Sequence, residues 1–278
     1  MAKKSGKSKT DALAEAYNRA LALEKSGDVE AAAKAYADVL ALDPADHGGA
    51  AVRLAAMGRG ETPLKAPDAY VETLFDQHAE AFEDILVEQL GYCVPLLIRQ
   101  QLQTLNLTAF GTVLDLGCGT GLVGTALRDM TSGEFVGIDL SEAMVGVAYD
   151  KELYDTLYVA ECVDYLGSND EGTFDLIVAA DVLPYVGDLA PLFAGAAANL
   201  KPGGLLAFSS ETRQAEDIGA EGYRVGPSQR FLHAEPYVRG ELSKAGFEIL
   251  SLTDINVRME NGQPSPGHLI IAQRHVDA

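Results

Sequence analysis

Cysteine is scarce in this sequence of 278 residues, limited to Cys93, Cys118 and Cys162. No two form a CxxC pair and the number is odd, which fits a reducing compartment and argues against a metal finger. Long apolar runs are missing too: none reaches the ~18 residues of a membrane span. Met1 to Thr10 carries lysines but no apolar stretch, so no secretory signal is expected there. Bases are few, 21 Lys and Arg against 41 Asp and Glu, for a net charge of −20. Ten of those bases and nine of the acids fall within the first 66 residues, leaving 11 bases and 32 acids for residues 67–278. Such a surface repels phosphate backbones, which disfavours nucleic acid as a substrate. Residues 1–10 read as a flexible basic tail, with a local basic patch as the alternative. The expectation is a soluble, cytoplasmic protein with no metal, no membrane contact and no nucleic-acid partner.

What is present is globular: 47% hydrophobic and 22% charged residues, on a chain long enough to bury about 70 to 75% of its unfolded surface. Residues 11–66 are alanine-rich and helical in period. Ala20, Leu23, Gly27, Asp28, Ala32, Tyr36, Leu40, Leu42, Asp43 and Pro44 follow the ~34-residue tetratricopeptide spacing. Ala20 and Ala32 let two helices approach, Gly27-Asp28 turns the chain, and Tyr36 fills the groove. Arg19 and Val39 depart from the pattern. His47 to Met57 reads as the first helix of a second, unfinished repeat. One and a half repeats cannot bury a core alone, so this unit is expected to dock on something. A protein-binding role and a structural appendage both remain open for it.

Gly58 to Pro67 reads as a linker. Beyond it Val71, Phe75, His78, Phe82 and Ile85 recur at helical spacing on one stripe. Within it His78 reads either as a core residue or as a ligand contact. From Thr112 the period changes. Short β-rich runs at 113–116, 135–139, 157–160, 174–180 and 205–209 alternate with helical stretches, the pattern of a parallel sheet covered on both faces. The last two runs, 247–252 and 269–272, have only loop residues between them and are expected to pair antiparallel.

The chemistry begins at Gly117-Cys118-Gly119-Thr120-Gly121, which follows a strand and opens a helix. Glycines remove side chains where backbone approaches a ligand, and the helix presents its positive end. Asp139, 18 residues beyond Gly121 at the end of the next strand, is placed to accept both hydroxyls of a ribose. Any adenosine cofactor would fit so far, a nicotinamide included. Two features narrow the choice: the glycine spacing is Gly-x-Gly-x-Gly, and Asp115 precedes the first glycine by two. An acid there repels a pyrophosphate and suits the ammonium group of an amino acid.

These segments resemble the class I S-adenosylmethionine-dependent methyltransferases. Val113 to Gly121 is similar to their first motif, Val136 to Ser141 to the second, and Glu161 to Asp164 to the loop where an acid meets adenine. Phe174 to Leu183 and Leu200 to Leu205 resemble the fourth strand and the turn into the fifth. A closer likeness is to bacterial methyltransferases with an N-terminal tetratricopeptide segment, whose lid helix Phe75 to Phe82 resembles, and whose segment before the sixth strand is similar to Arg230 to His233 with Tyr237. The resemblance covers residues 67–278, split into lid helices over 67–110 and a core over 111–278. It implies a Rossmann-like, seven-stranded, mostly parallel α/β sheet with an antiparallel last strand, added to the small N-terminal helical unit.

The resemblance also implies S-adenosylmethionine as the cofactor and methyl transfer to an unidentified acceptor, a small molecule with an oxygen or nitrogen nucleophile. A cofactor-sensing scaffold that binds a protein through residues 11–66 is the rival reading. Cofactor contacts would come from Asp115, Gly117, Cys118, Gly119, Gly121, Asp139, Leu140, Asp164 and Asp181. Asp164 could instead be a solvated loop acid, and Asp181 a turn acid or a residue that faces substrate. Phe75, His78, Phe82, Tyr185 and Tyr237 are the lid and substrate candidates. His233 could serve as catalytic base, since imidazole titrates near neutrality, or as a structural cap before Ala234. Val182-Leu183-Pro184-Tyr185 replaces the Pro-Pro-Tyr/Phe run of amino-methylating relatives, which disfavours adenine or amide nitrogen as the acceptor.

Overall fold

A computed structural model describes residues 9–169, 172–260 and 262–276. Of the basic tail expected over residues 1–10, all but Lys9 and Thr10 lie outside the described residues; those two open the first helix. The helices are α1 (Lys9–Lys25), α2 (Val29–Leu42), α3 (Ala50–Ala56), α4 (Asp68–Asp76), α5 (Val94–Thr104), α6 (Leu122–Leu127), α7 (Glu142–Asp150), α8 (Cys162–Ser168), α9 (Ala190–Asn199), α10 (Ala215–Ile218) and α11 (Glu235–Lys244). The strands are β1 (Val113–Leu116), β2 (Phe135–Asp139), β3 (Thr156–Val159), β4 (Phe174–Ala179), β5 (Leu200–Glu211), β6 (Tyr223–Val225), β7 (Phe231–His233), β8 (Phe247–Glu260) and β9 (Gln263–Arg274).

Seven strands form one sheet in the order β3-β2-β1-β4-β5-β9-β8, while β6 and β7 make a separate hairpin. Every pairing from β3 to β5 is parallel, and β9 runs antiparallel to both its neighbours. The strands buried on both faces are continuous apolar runs, as a sheet covered on two sides demands. On one face Leu114, Ile177 and Phe208 pack with Phe193 of α9 and Leu242 of α11; on the other Val113, Leu176 and Ile271 pack with Ile98 and Leu102 of α5 and Val123 of α6. The order reverses between β1 and β4, and in open α/β sheets ligands bind at such a point, beyond the carboxyl ends of the strands.

The β8–β9 hairpin is far longer than its apolar runs. Beyond Leu252 the strands carry Asn256, Arg258, Pro264 and Pro266, residues with no strand pattern. Irregularities at Ile249/Ser251 and Asn256/Arg258 bend the pair, and the Met259 N–H donates to the Leu90 carbonyl at 2.7 Å. Tertiary pairing extends this hairpin where propensity does not.

The stripe from Val71 to Ile85 is not one helix. After α4 the chain passes through a 3-10 turn at Ala79–Ala81 and a π turn at Asp84–Gln89. The break turns His78 outward into solvent while Phe75 and Phe82 stay inward, their ring centroids 5.9 Å apart. Helix α5, expected among the lid helices, is a core helix, with Val94, Ile98 and Leu102 fully buried.

At the N-terminus α1 and α2 form a helical hairpin with Ala20, Ala32 and Tyr36 sealed between them. Helix α3 is capped by Asp46, whose carboxylate accepts the N–H groups of Ala50 and Ala51 at 2.6 and 2.9 Å. Val52 and Ala55 of α3 pack on Val225 and Phe231 of the β6–β7 hairpin and beside Tyr70 of α4. The segment after α3 is no loose linker. Ala66 N–H donates to the Tyr185 carbonyl, and Gly187 N–H to that of Leu64, both at 2.8 Å.

Replacing Leu102 with alanine tests the reassignment of α5. A buried core leucine should cost about 2–5 kcal/mol in urea unfolding, whereas loss below about 0.5 kcal/mol, usual for a surface site, would return α5 to the lid.

Candidate functional site

A cleft of about 1110 Å³, open mouth included, lies over the β1–β4 reversal point. Its floor begins at the loop from β1 to α6. Gly117, Gly119 and Gly121 all hold positive φ, +66°, +53° and +89°, a region that favours glycine. The Cys118 N–H donates to the Ile138 carbonyl at 2.8 Å, and the Gly119 N–H to Asp139 Oδ2 at 2.9 Å. Asp139 also accepts the Ser141 N–H at 2.9 Å. Burial pushes its pKa up, against the pull of those backbone donors. Two N–H groups thus fix the carboxylate at the end of β2, beside Leu140 on the cleft wall.

Asp115 is completely buried beneath this loop and does not line the cleft. The Tyr154 hydroxyl donates to Oδ2 at 2.7 Å, while Oδ1 has no partner. Desolvation raises its pKa to about 8. A buried acid oxygen without a partner is costly, and a cation above the loop would lower that cost. Gly121 caps α6 behind the Tyr154 ring and also stays off the cleft wall.

Several expected site residues lie elsewhere. Asp164 is exposed in the first turn of α8, and its N–H is capped at 2.8 Å by Glu161 Oε2. The acid that reaches the cleft is Glu161, with Cys162 and Ala160 beside it. The Glu-x-x-Asp spacing of a helix start was the available signal. His233 is sealed, its Nε2 on the Val186 carbonyl at 2.8 Å and its ring stacked on Tyr237. Burial lowers its pKa to about 4, and it does not line the cleft. It is no base. Tyr237 is equally remote: its hydroxyl accepts the Leu189 N–H at 2.9 Å and donates to Asp188 at 3.3 Å. His78 faces solvent, outside the cleft.

Phe75, Phe82 and Tyr185 do meet in the cleft, together with Leu86 and Tyr92. Two carboxylates fasten the segment that carries the phenylalanines. Asp76 accepts the Ser141 hydroxyl at 2.5 Å and the Ala143 N–H at 3.3 Å. Glu83 accepts the Thr120 hydroxyl at 2.6 Å and pairs with Lys151.

Asp181 lines the cleft at the end of β4, in a left-handed conformation with φ +61°. Both its oxygens bind Arg230 Nη2, at 2.8 and 2.9 Å. Arg230 Nε donates to Glu211 at 2.7 Å and Nη1 to the Tyr185 hydroxyl at 3.0 Å. Arg258 Nη1 closes the group, 2.8 Å from Glu211 and 3.5 Å from Asp181. Sequence reasoning gave no role to Glu211 or Arg258 and none to Arg230 itself; the one available hint was that bases are rare in this half of the chain.

With this geometry in place, similarity to known proteins can be set beside it. Residues 114–206 match the family model of a methyltransferase domain. The ubiquinone biosynthesis O-methyltransferase of Coxiella burnetii is 35% identical over 158 residues, 52% of this chain and 66% of that protein. Its counterpart in Burkholderia multivorans is 31% identical over 116 residues, 39% of this chain and 50% of that one. The chain therefore spans between half and two thirds of these curated relatives. An S-adenosylmethionine-dependent methyltransferase from Clostridium acetobutylicum superposes with a TM-score of 0.54 at 18% identity, covering 73% of this chain and 99% of that one. The [4+2]-cyclase SpnF superposes at 0.55, also at 18% identity, covering 66% and 82%. These two share the fold. The family match is thus to a methyltransferase domain over residues 114–206, about a third of the chain.

Asp115 makes a pH prediction. Its folded pKa lies above the ordinary 3.8, so the protonated form stabilises the fold and that contribution is lost as pH rises. Relative to Asp115→Asn, the wild type should lose stability in urea between about pH 4 and about pH 8. A difference constant across that window would contradict the buried, unpaired oxygen.

Proposed function

We propose that this chain binds S-adenosylmethionine and methylates an oxygen of a small, apolar acceptor. The observation that carries this reading is one cleft joining a nucleoside-shaped end to an aromatic chamber. At the first end Gly117 and Gly119 offer backbone free of side chains, Asp139 would hold the ribose hydroxyls, and Leu140 would cover an adenine face. Glu161, in place of Asp164, would meet the adenine edge, and Asp115 would balance the ammonium group from below. The unpartnered Asp115 oxygen and the fixed Asp139 carboxylate fit that cofactor. When bound, it supplies an activated methyl on a sulfonium, so a separate activating group is not needed.

The protein's own part is to position and to exclude water. Phe75, Phe82, Leu86, Tyr92 and Tyr185 line the chamber with apolar surface. The Asp76 and Glu83 contacts hold the phenylalanine-bearing segment down over the glycine loop, and these would have to yield for entry and release. No free imidazole faces the chamber among the described residues, and Asp181 has given both oxygens to Arg230. An oxygen nucleophile that ionises without a strong base is consistent with this, as is the O-methyltransferase naming of the curated relatives.

We read α1 to α3 as one and a half tetratricopeptide-like repeats. The supporting features are the sealed Ala20/Ala32/Tyr36 contact and the turn at Gly27, whose φ is +80°. The protein is read as cytoplasmic, with no nucleic-acid partner. Among the described residues no helix is long and apolar enough to cross a membrane.

Calorimetry tests the cofactor. S-adenosylhomocysteine should bind and NAD should not; NAD binding alone would overturn the reading. Asp139→Ala should weaken S-adenosylhomocysteine at least tenfold, since each charge-assisted hydrogen bond contributes about 1.5–3 kcal/mol. An unchanged affinity in folded protein would reject the ribose contact. Labelled methyl transfer into metabolite fractions tests turnover. Cofactor binding without any transfer, together with capture of a protein through α1 to α3, would favour the sensing scaffold.

A further inference from the structure

Arg230 stands where the aromatic chamber ends, and its surroundings specify what can sit against it. The guanidinium has five N–H donors. Three are committed: Nε to Glu211, one Nη2 hydrogen shared between both oxygens of Asp181, and one Nη1 hydrogen to the Tyr185 hydroxyl. Among the described residues, the second hydrogen of Nη1 and that of Nη2 have no partner. The guanidinium carbon lies 5.2 Å from the centre of the Tyr185 ring, a cation–π contact beside the hydrogen bonds. Among the described residues Arg230 and Lys65 are the only cations on the cleft wall, and Lys65 is engaged at the rim by Asp68 and Glu161, at 2.8 and 3.4 Å.

Resting on the methyltransferase reading above, we propose that Arg230 is the acceptor anchor: a free N–H takes an ionised oxygen of the acceptor, whose flat apolar body lies among Phe75, Phe82, Tyr92 and Tyr185. The acceptor is then an oxygen acid, a carboxylic acid or an acidic aromatic hydroxyl, and binds as its anion. Three observations converge on this. The donor is pre-oriented by Glu211, Asp181 and Tyr185, and a fixed guanidinium recognises oxyanions better than a mobile ammonium does. The surrounding wall is apolar, which strengthens a charged hydrogen bond inside it. Among the described residues no imidazole faces the chamber, and an acceptor that has already given its proton to solvent needs none. Arg258, 2.8 Å from Glu211 and 3.9 Å from Glu260, offsets the second carboxylate, so the two arginines together balance Asp181 and Glu211 and what Arg230 offers is its oriented N–H donors. Asp181 and Glu211 are positioning residues for this donor.

The test is binding to the wild-type protein saturated with S-adenosylhomocysteine, followed by calorimetry or ligand-observed NMR. The probes are cinnamate for the carboxylate arm, 4-nitrophenolate for the phenolate arm, and cinnamamide as the neutral, equally flat control. At least one anion should bind at least tenfold more tightly than cinnamamide, and the arm that does so identifies the acid. Arg230→Met should abolish that preference while S-adenosylhomocysteine affinity stays within threefold. Because Arg230→Met leaves Glu211 and Asp181 buried beside a lost charge, the paired change Arg230→Met/Glu211→Gln, which restores the balance, is measured alongside it. Equal binding of anions and amide by the wild type, or an anion preference that survives both variants, would overturn the anchor. Failure of S-adenosylhomocysteine to bind the wild type would instead reject the cofactor reading on which it rests.

Discussion

The hydrogen bond from the Gly119 N–H to Asp139 is the contact on which the rest of the cleft depends. It joins the β1–α6 loop to the end of β2 and requires Gly119 to adopt a backbone that side chains disfavour. With the loop fixed, Thr120 is in place to meet Glu83, and Ser141, held by the same carboxylate, is in place to meet Asp76. The segment carrying Phe75 and Phe82 is thereby roofed over the loop by two carboxylates on opposite sides. Asp115 beneath remains partly unsatisfied, a strain that the fold tolerates at its site.

The opposite end of the cleft is organised by ions instead of backbone. Arg230, Arg258, Asp181 and Glu211 come from the start of β7, the extended β8–β9 hairpin, the end of β4 and the end of β5. Burying four charges is costly unless each is paired and bonded, and here each has a partner within 3.5 Å. The long hairpin makes sense in this light: without the residues beyond Leu252 there is no Arg258, and Glu211 would lose one of its two cations. The N-terminal helices enter the same arrangement from outside, since Val52 and Ala55 pack on Phe231, Arg230's neighbour at the start of β7.

Much of this was legible in the residue order. Strand-helix alternation, the glycine loop, Asp139 at the end of β2 and the antiparallel last strand all follow from local pattern, because apolar period, turn residues and glycine placement act over a few residues. The cleft aromatics Phe75, Phe82 and Tyr185 were legible as residue types at recognisable spacings. Their helix was not, because the break after Asp76 is set by contacts to Ser141 and Ala143, more than sixty residues away.

The sequence by itself determined the sheet, its order-reversing loop and the glycine loop with Asp139 beside it. Only the tertiary structure decided which ionisable groups reach that pocket. His233 and Asp164 had suitable chemistry and the wrong side of an element: one is closed between the Val186 carbonyl and Tyr237, the other turned to water by a helix cap. Arg230, Glu211 and Arg258 had no motif at all, being separated by 19 and 28 residues from one another along the chain. Burial and pairing of a charge are properties of the assembled surroundings, and no short stretch of sequence encodes them.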